Sequence, residues 1–234
     1  MTHFTIIEQS EYIRVSFHAS KSANALSLAA ARELSLLQKQ LKDSRLPLVF
    51  VSGHPSVFCS GGNLSDYKSL KGKAPGLKVN REITRNLDQF YAWPVPKLAI
   101  IDGDVLGGGM EWLSRFDFRW STSSSMFSFW QRRIGLSTGW GGGKYWAQRI
   151  GEDRLRCLLM EARVLGAAEA LQIGLVDRLL VSWKLEEETE NWARRLSDPS
   201  AQALLKWSVR KESLLFNKLW MGPRHQRALA RWKA

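Results

Sequence analysis

Asp104–Trp112 reads DVLGGGMEW: three consecutive glycines, then a methionine and a glutamate. The apolar run Lys97–Ile101 just before it has the character of a buried strand, and Gly107–Phe116 has that of a helix start. Glycines at a strand-to-helix turn let backbone N–H groups approach a ligand with no Cβ in the way. A helix N-terminus adds unpaired donors and partial positive charge. Such a turn suits an anion, or an oxygen that becomes negative during reaction. It also suits plain tight packing of helix on strand. The spacing is neither GxGxxG nor that of a P-loop, so neither mode of cradling nucleotide phosphates is expected.

A second glycine turn, Phe58–Leu64 (FCSGGNL), follows the apolar run Leu46–Val51. Two such turns can each lend one N–H to a single oxygen. Glu111, three residues after Gly108, falls on the first helical turn. A carboxylate beside an oxyanion hole is an arrangement for moving a proton next to a polarised carbonyl. A first-turn acid placed to favour the helix dipole is the plainer reading.

Working outward, Phe4–Ile7 and Tyr12–Phe17 alternate as a hairpin. Ser27 caps a helix whose Leu28, Ala31, Leu34, Leu37 and Leu41 share one face. Lys68–Lys78, with Gly72, Pro75 and Gly76, reads as a mobile basic loop, and Val79–Trp93 as a helix. Asp117–Ser121 and Val176–Val181 read as strands; Gly141–Ile150, Glu152–Met160 and Ala167–Ile173 read as helices. From Leu185 the pattern is helical, broken near Pro199 and at Gly222-Pro223. The fold class is α/β, with residues 1–182 as the core and 183–234 as a helical C-terminal region.

The chain has 234 residues, 11 Trp and a net charge of +12. From Lys206 onward eight basic residues face the single acid Glu212, which invites a phosphate-bearing ligand or nucleic acid, or simply a solvated face. Two cysteines without metal spacing predict no zinc site and no disulfide framework. No signal peptide or membrane span is read at these positions, so a cytoplasmic setting and no membrane partner are expected. Cys59 reads as packing filler. Asp66 is either an acid of a pocket or solvent-facing, and His54 is a loop residue. No His falls in a nucleophile elbow.

The pieces KSANALS (Lys21–Ser27), FCSGGNL (Phe58–Leu64), PKLAIIDGDVLGGGMEW (Pro96–Trp112), DFRWST (Asp117–Thr122), IGLSTGWGGGKYW (Ile134–Trp146) and VLGAAEALQIGLVDRLL (Val164–Leu180) come in one order and spacing. There the chain resembles the crotonase superfamily, the enoyl-CoA hydratase/isomerase family. The resemblance implies a spiral of ββα units, a helical C-terminal trimerisation region, and a homotrimer or hexamer. It also implies an acyl-CoA thioester as ligand, with no covalently bound cofactor, coenzyme A being part of the substrate. The thioester oxygen would lie on the Gly62 and Gly108 N–H groups. Lys21, Ser22, Ala23 and Ser60 would lie along coenzyme A, with Trp130 and Trp140 as pocket walls or core filler. Family hydratases use two glutamates. The first matches Glu111; the second falls on Gln131, which can neither take nor give a proton at neutral pH. The DFR…WGG pattern is also similar to the ethylmalonyl-CoA decarboxylase branch. Hydratase or lyase chemistry is therefore the expectation, with decarboxylation as alternative and an RNA-binding or non-catalytic role as a reading of another class. Trp232 and Lys233 are candidates for covering coenzyme A.

Overall fold

The computed structural model describes residues 1–180 and 184–231; the expected 182/183 boundary and the candidates Trp232 and Lys233 lie outside the described residues. β1 (Phe4–Glu8) and β2 (Ile13–Phe17) form the hairpin, in register from Phe4↔Phe17 to Glu8↔Ile13. The α1 helix (Leu28–Gln40) starts where the Ser27 hydroxyl accepts the Ala30 N–H at 3.0 Å, and it buries Ala30, Ala31, Leu34 and Leu37.

Three strand pairs follow. They are β3 (Leu48–Ser52) with β4 (Val57–Cys59), β5 (Lys97–Ile101) with β6 (Asp104–Leu106), and β7 (Phe118–Ser121) with β8 (Met126–Ser128). The first member of each pair joins a six-stranded sheet and the second joins a four-stranded one. Behind the first pair come α2 (Ser65–Lys68) and α3 (Lys73–Ala92), and behind the second comes α4 (Gly108–Leu113). The third leads through a 3-10 turn (Trp130–Ile134) into α5 (Gly142–Ile150) and α6 (Glu152–Glu161). β9 (Leu165–Gly166), α7 (Ala167–Gln172) and β10 (Arg178–Leu179) close the spiral, β9 on the smaller sheet and β10 on the larger. Each ββα turn thus advances both sheets by one strand, and β3, β5, β7 and β10 are parallel neighbours.

Trp112 of α4 is fully buried among Phe17, Phe50, Phe58 and Phe116, with ring centroids 5.2–6.3 Å apart. Aromatic pairs of this kind add about 0.5–1.5 kcal/mol each beyond area burial. This cluster fixes α4, and with it the glycine turn.

The expected loop Lys68–Lys78 is largely helical instead, because α3 begins at Lys73. Pro75 sits in its first turn, where a missing N–H costs no hydrogen bond. The Arg32–Glu82 ion pair and the Ser35–Gln89 hydrogen bond hold α3 on α1. Residues Val176–Val181 contribute only the two-residue strand β10 among the described residues.

Beyond the spiral, α8 (Leu185–Leu196) carries three glutamates in its first turn and Arg194 and Arg195 in its last, matched to the helix dipole. Its Trp192 packs on Phe118 and Trp120 of the larger sheet. Then come α9 (Pro199–Ala203), α10 (Glu212–Leu219) and α11 (Pro223–Arg231), which leave Leu214, Phe216, Trp220 and Leu229 exposed. No helix among the described residues is long and apolar enough to cross a membrane.

Candidate active site

Each glycine turn emerges from the smaller sheet. A three-residue strand, β4 or β6, separates it from the apolar strand read in the sequence. Those short strands pair in parallel, Val57↔Asp104 and Cys59↔Val105, so the two turns leave the sheet side by side. The Gly107 N–H is spent on the Ser128 carbonyl at 2.8 Å. The Gly62 and Gly108 N–H groups have no backbone acceptor among the described residues. Gly61, Gly107 and Gly109 are buried, whereas Gly62 and Gly108 are partly exposed. The two N–H groups that the resemblance implies thus belong to partly exposed glycines, one on each turn. Packing also demands glycine here: a Cβ on Gly109 would stand 2.4 Å from the Cys59 carbonyl oxygen.

Trp140 lies across both turns. A Cβ on Gly108 would come within 2.6 Å of its indole Cζ3, and one on Gly62 within 3.1 Å of Cζ2. The indole N–H donates to Asn80 Oδ1 at 3.1 Å, and Tyr67 Oη donates to the same oxygen at 2.8 Å. Only 4% of Trp140 is exposed.

Glu111 is 2% exposed, one turn into α4. Its Oε1 accepts the Gly139 N–H at 2.9 Å, and its Oε2 accepts those of Trp140 at 2.8 Å and Gly142 at 3.0 Å. The Gln131 amide reaches Oε1 at 3.4 Å, beyond the usual range. Glu111 thus anchors the start of α5, where unpaired N–H groups favour an anion. Gly142 is obligatory there, since a Cβ would sit 2.5 Å from Glu111 Cα. Gln131 Oε1 is buried and has no partner among the described residues.

The Lys21–Ala23 segment lies beside the first turn. Ser60 Oγ donates to the Ser22 carbonyl at 3.3 Å, while Lys21 and Ala23 are exposed. Ala23 and Asn24 take left-handed backbone, with φ of 49° and 52°. Buried Asn24 holds them there by accepting the Ala19 N–H and donating to Ser52 Oγ. Trp130 is not core filler: it is 38% exposed, with the Arg133 guanidinium 5.0 Å over its ring.

Other residues take structural places. Asp66 is half-buried, and its Oδ2 accepts the Leu28 N–H at 2.6 Å at the start of α1. His54 accepts the Ser56 N–H in its own loop. Cys59 is fully buried, and burial pushes its thiol up to about 12. The reading of Cys59 as packing filler holds.

The sequence reading missed Asn80, Tyr67 and Arg115. Arg115 is wholly buried, donates to the Trp140 carbonyl at 2.7 Å and the Glu111 carbonyl at 3.3 Å, and pairs with Asp88 at 3.0 Å. Its guanidinium also stacks 4.1 Å over Tyr145. Burial lowers its pKa, against the pull of Tyr145 and Asp88.

Residues 8–217 match the model of the enoyl-CoA hydratase/isomerase family. The chain belongs to that family. Among curated relatives, human ethylmalonyl-CoA decarboxylase is 30% identical over 200 residues, covering 78% of this chain and 65% of that protein. The Xenopus tropicalis protein of the same name is 28% identical over 199 residues, covering 78% and 67%. The chain thus spans about two thirds of the length of those relatives. Enoyl-CoA hydratase from Bacillus anthracis superposes with a TM-score of 0.87 at 20% identity, covering 97% of this chain and 95% of that one. The Thermoplasma volcanium enzyme gives 0.87 at 19% identity, covering 100% and 98%. At such identities these structures speak for the fold, the spiral of ββα units described above. Within this enoyl-CoA hydratase/isomerase chain the match begins at the end of β1 and runs into α10, so both glycine turns, Gln131 and Trp140 fall inside it.

Proposed function

We propose that the chain is an enzyme that decarboxylates a short malonyl-type coenzyme A thioester, through an enolate held on the Gly62 and Gly108 N–H groups. The observation that carries this reading is Gln131 standing where a second acid would be needed, beside a Glu111 whose carboxylate already accepts three backbone N–H groups at 2.8–3.0 Å. Hydration by the two-carboxylate route needs a second acid/base beside Glu111, and Gln131 supplies none.

Decarboxylation asks less. The bond from Cα to the carboxylate breaks, carbon dioxide leaves, and the electron pair moves onto the thioester to give an enolate oxygen. Two converging N–H donors stabilise that oxygen most when its charge is fully developed. The buried indole of Trp140 beside them makes a dry wall, which disfavours the substrate carboxylate in its charged state. The enolate carbon then takes a proton from water, and the hydroxide formed returns to solvent. Gln131 Oε1 is an open acceptor for the other O–H of that water. Hydration is the second reading. It is favoured by the long 3.4 Å contact at Glu111 Oε1, the carboxylate oxygen most easily handed over to a water molecule. Lys21, Ser22, Ala23 and Ser60 line the approach for coenzyme A in either case. The exposed Phe216, Trp220 and Leu229 on α10 and α11 support a homotrimer or hexamer.

Mass spectrometry of the protein with ethylmalonyl-CoA, methylmalonyl-CoA and crotonyl-CoA separates the readings. Loss of carbon dioxide from a malonyl-type thioester is the expected result. Gain of water on crotonyl-CoA with no decarboxylation would replace it by hydration. No change in any of the three would overturn both for these acyl groups.

A further inference from the structure

We propose that Trp140 is the residue that limits acyl length, a fixed wall across the oxyanion site that restricts the enzyme to short acyl groups. This rests on the thioester reading above. The indole's benzo edge lies so close to both turns that a methyl group placed on Gly62 or Gly108 would fall 2.6–3.3 Å from its carbons. Not even one methylene fits between the ring and those glycines. A thioester whose oxygen sits on the two N–H groups therefore meets the indole where a longer acyl group would have to pass.

The wall is held at every polar point. The Trp140 backbone N–H goes to Glu111 Oε2, its carbonyl takes Arg115 Nη2, and its indole N–H goes to Asn80 Oδ1. Asn80 is itself held by Tyr67 Oη. Swinging the ring away would strip the indole N–H of its acceptor and leave its desolvation uncompensated. The indole acts as a stop rather than a gate, and Asn80 acts as its positioning residue.

The test is calorimetric binding of butyryl-CoA and octanoyl-CoA, saturated thioesters that offer neither carbon dioxide to lose nor a double bond to hydrate. Wild type should bind butyryl-CoA on the order of tenfold more tightly than octanoyl-CoA, the scale at which a pocket rejects excess methylenes. W140A should lose or reverse that ratio while its affinity for free coenzyme A stays unchanged. N80A should shift the ratio in the same direction but less, and it serves as the readout if W140A does not fold. An unchanged ratio in folded W140A, or in N80A where W140A is unfolded, overturns the proposal alone. Failure of wild type to bind either thioester or free coenzyme A would remove the thioester reading, and this proposal with it.

Discussion

Arg115 Nη2 donates to the carbonyl of Trp140 at 2.7 Å, from a guanidinium with no exposed surface. The contact crosses from just past α4 to the second residue before α5. It ties the helix that carries one glycine turn to the side chain that covers both. Arg115 also reaches the Glu111 carbonyl, so one cation fixes two neighbours of the paired glycine turns.

Replacing that cation should be costly. R115M removes the donor of the Trp140 carbonyl and one partner of Asp88, while the Glu111 carbonyl keeps Ser114 Oγ at 2.6 Å and Asp88 keeps Tyr145 Oη at 3.2 Å. Hydrogen bonds to a charged group contribute about 1.5–3 kcal/mol. Asp88 is 39% exposed and can rehydrate, so a loss of about 2–3 kcal/mol is expected rather than the larger cost of a stranded buried charge. Urea unfolding measures it. A loss under half a kilocalorie would mean that the link carries no stability.

E111Q swaps a carboxylate for a group with two donors of its own. Whichever way the amide turns, an NH₂ must face a backbone N–H of Gly139, Trp140 or Gly142. Unfolding should become easier by about 2–3 kcal/mol, the cost of buried donors left without acceptors. E111D, a carboxylate one methylene shorter, should recover part of that loss. Equal stability in E111Q and wild type would show that the start of α5 is held by other contacts.

G109A places a methyl group against the Cys59 carbonyl, 2.4 Å away in the unrelaxed backbone. Relief requires β4 and α4 to move apart, so a cost of about 1–3 kcal/mol is expected. Activity should fall further than stability alone explains, because the same movement separates Gly62 from Gly108. Thermal melts paired with turnover at a temperature where both proteins are folded would separate the two effects.

Cys59 predicts an alkaline limit. Burial raises the folded thiol from its ordinary 9.0 to about 12, so the native state keeps a proton that the unfolded chain releases. The stability from this group is full below pH 9 and declines as pH rises from there through about 12, by up to about 1.4 kcal/mol per unit. C59A should flatten that decline. Thiol labelling gives a second check: exposed Cys157 should react in the native protein and Cys59 only after denaturation.

The larger sheet was legible because its strands are apolar runs long enough to show a pattern, such as Leu48–Ser52 and Lys97–Ile101. The smaller sheet was not read from periodicity. Its strands Val57–Cys59, Asp104–Leu106 and Met126–Ser128 have three residues each, too few for any alternation, and glycine or serine flanks them. Glu111, Gly62, Gly108, Gln131 and Trp140 could be picked out by their turns and by the family resemblance, and the fold gathers them. Arg115, Asn80 and Tyr67 carried no such mark. A buried arginine and a half-buried asparagine look like any surface residue until the partners that satisfy them are known. Pro75 misled in the same way, since a proline ends a helix in most positions and is tolerated in the first turn.

The parallel pairing of β4 with β6 has a further consequence. The two reachable N–H groups belong to the main chain, and their spacing is set by strand register. Ordinary side-chain exchange cannot delete them; only an insertion, a deletion or a proline can. A lineage built on this scaffold can therefore drift at positions such as Gln131 and Trp140 while the geometry of the two N–H groups, the proposed grip on an enolate, is inherited intact. Descendants would differ in what they do to the thioester long before they lost the ability to grip one.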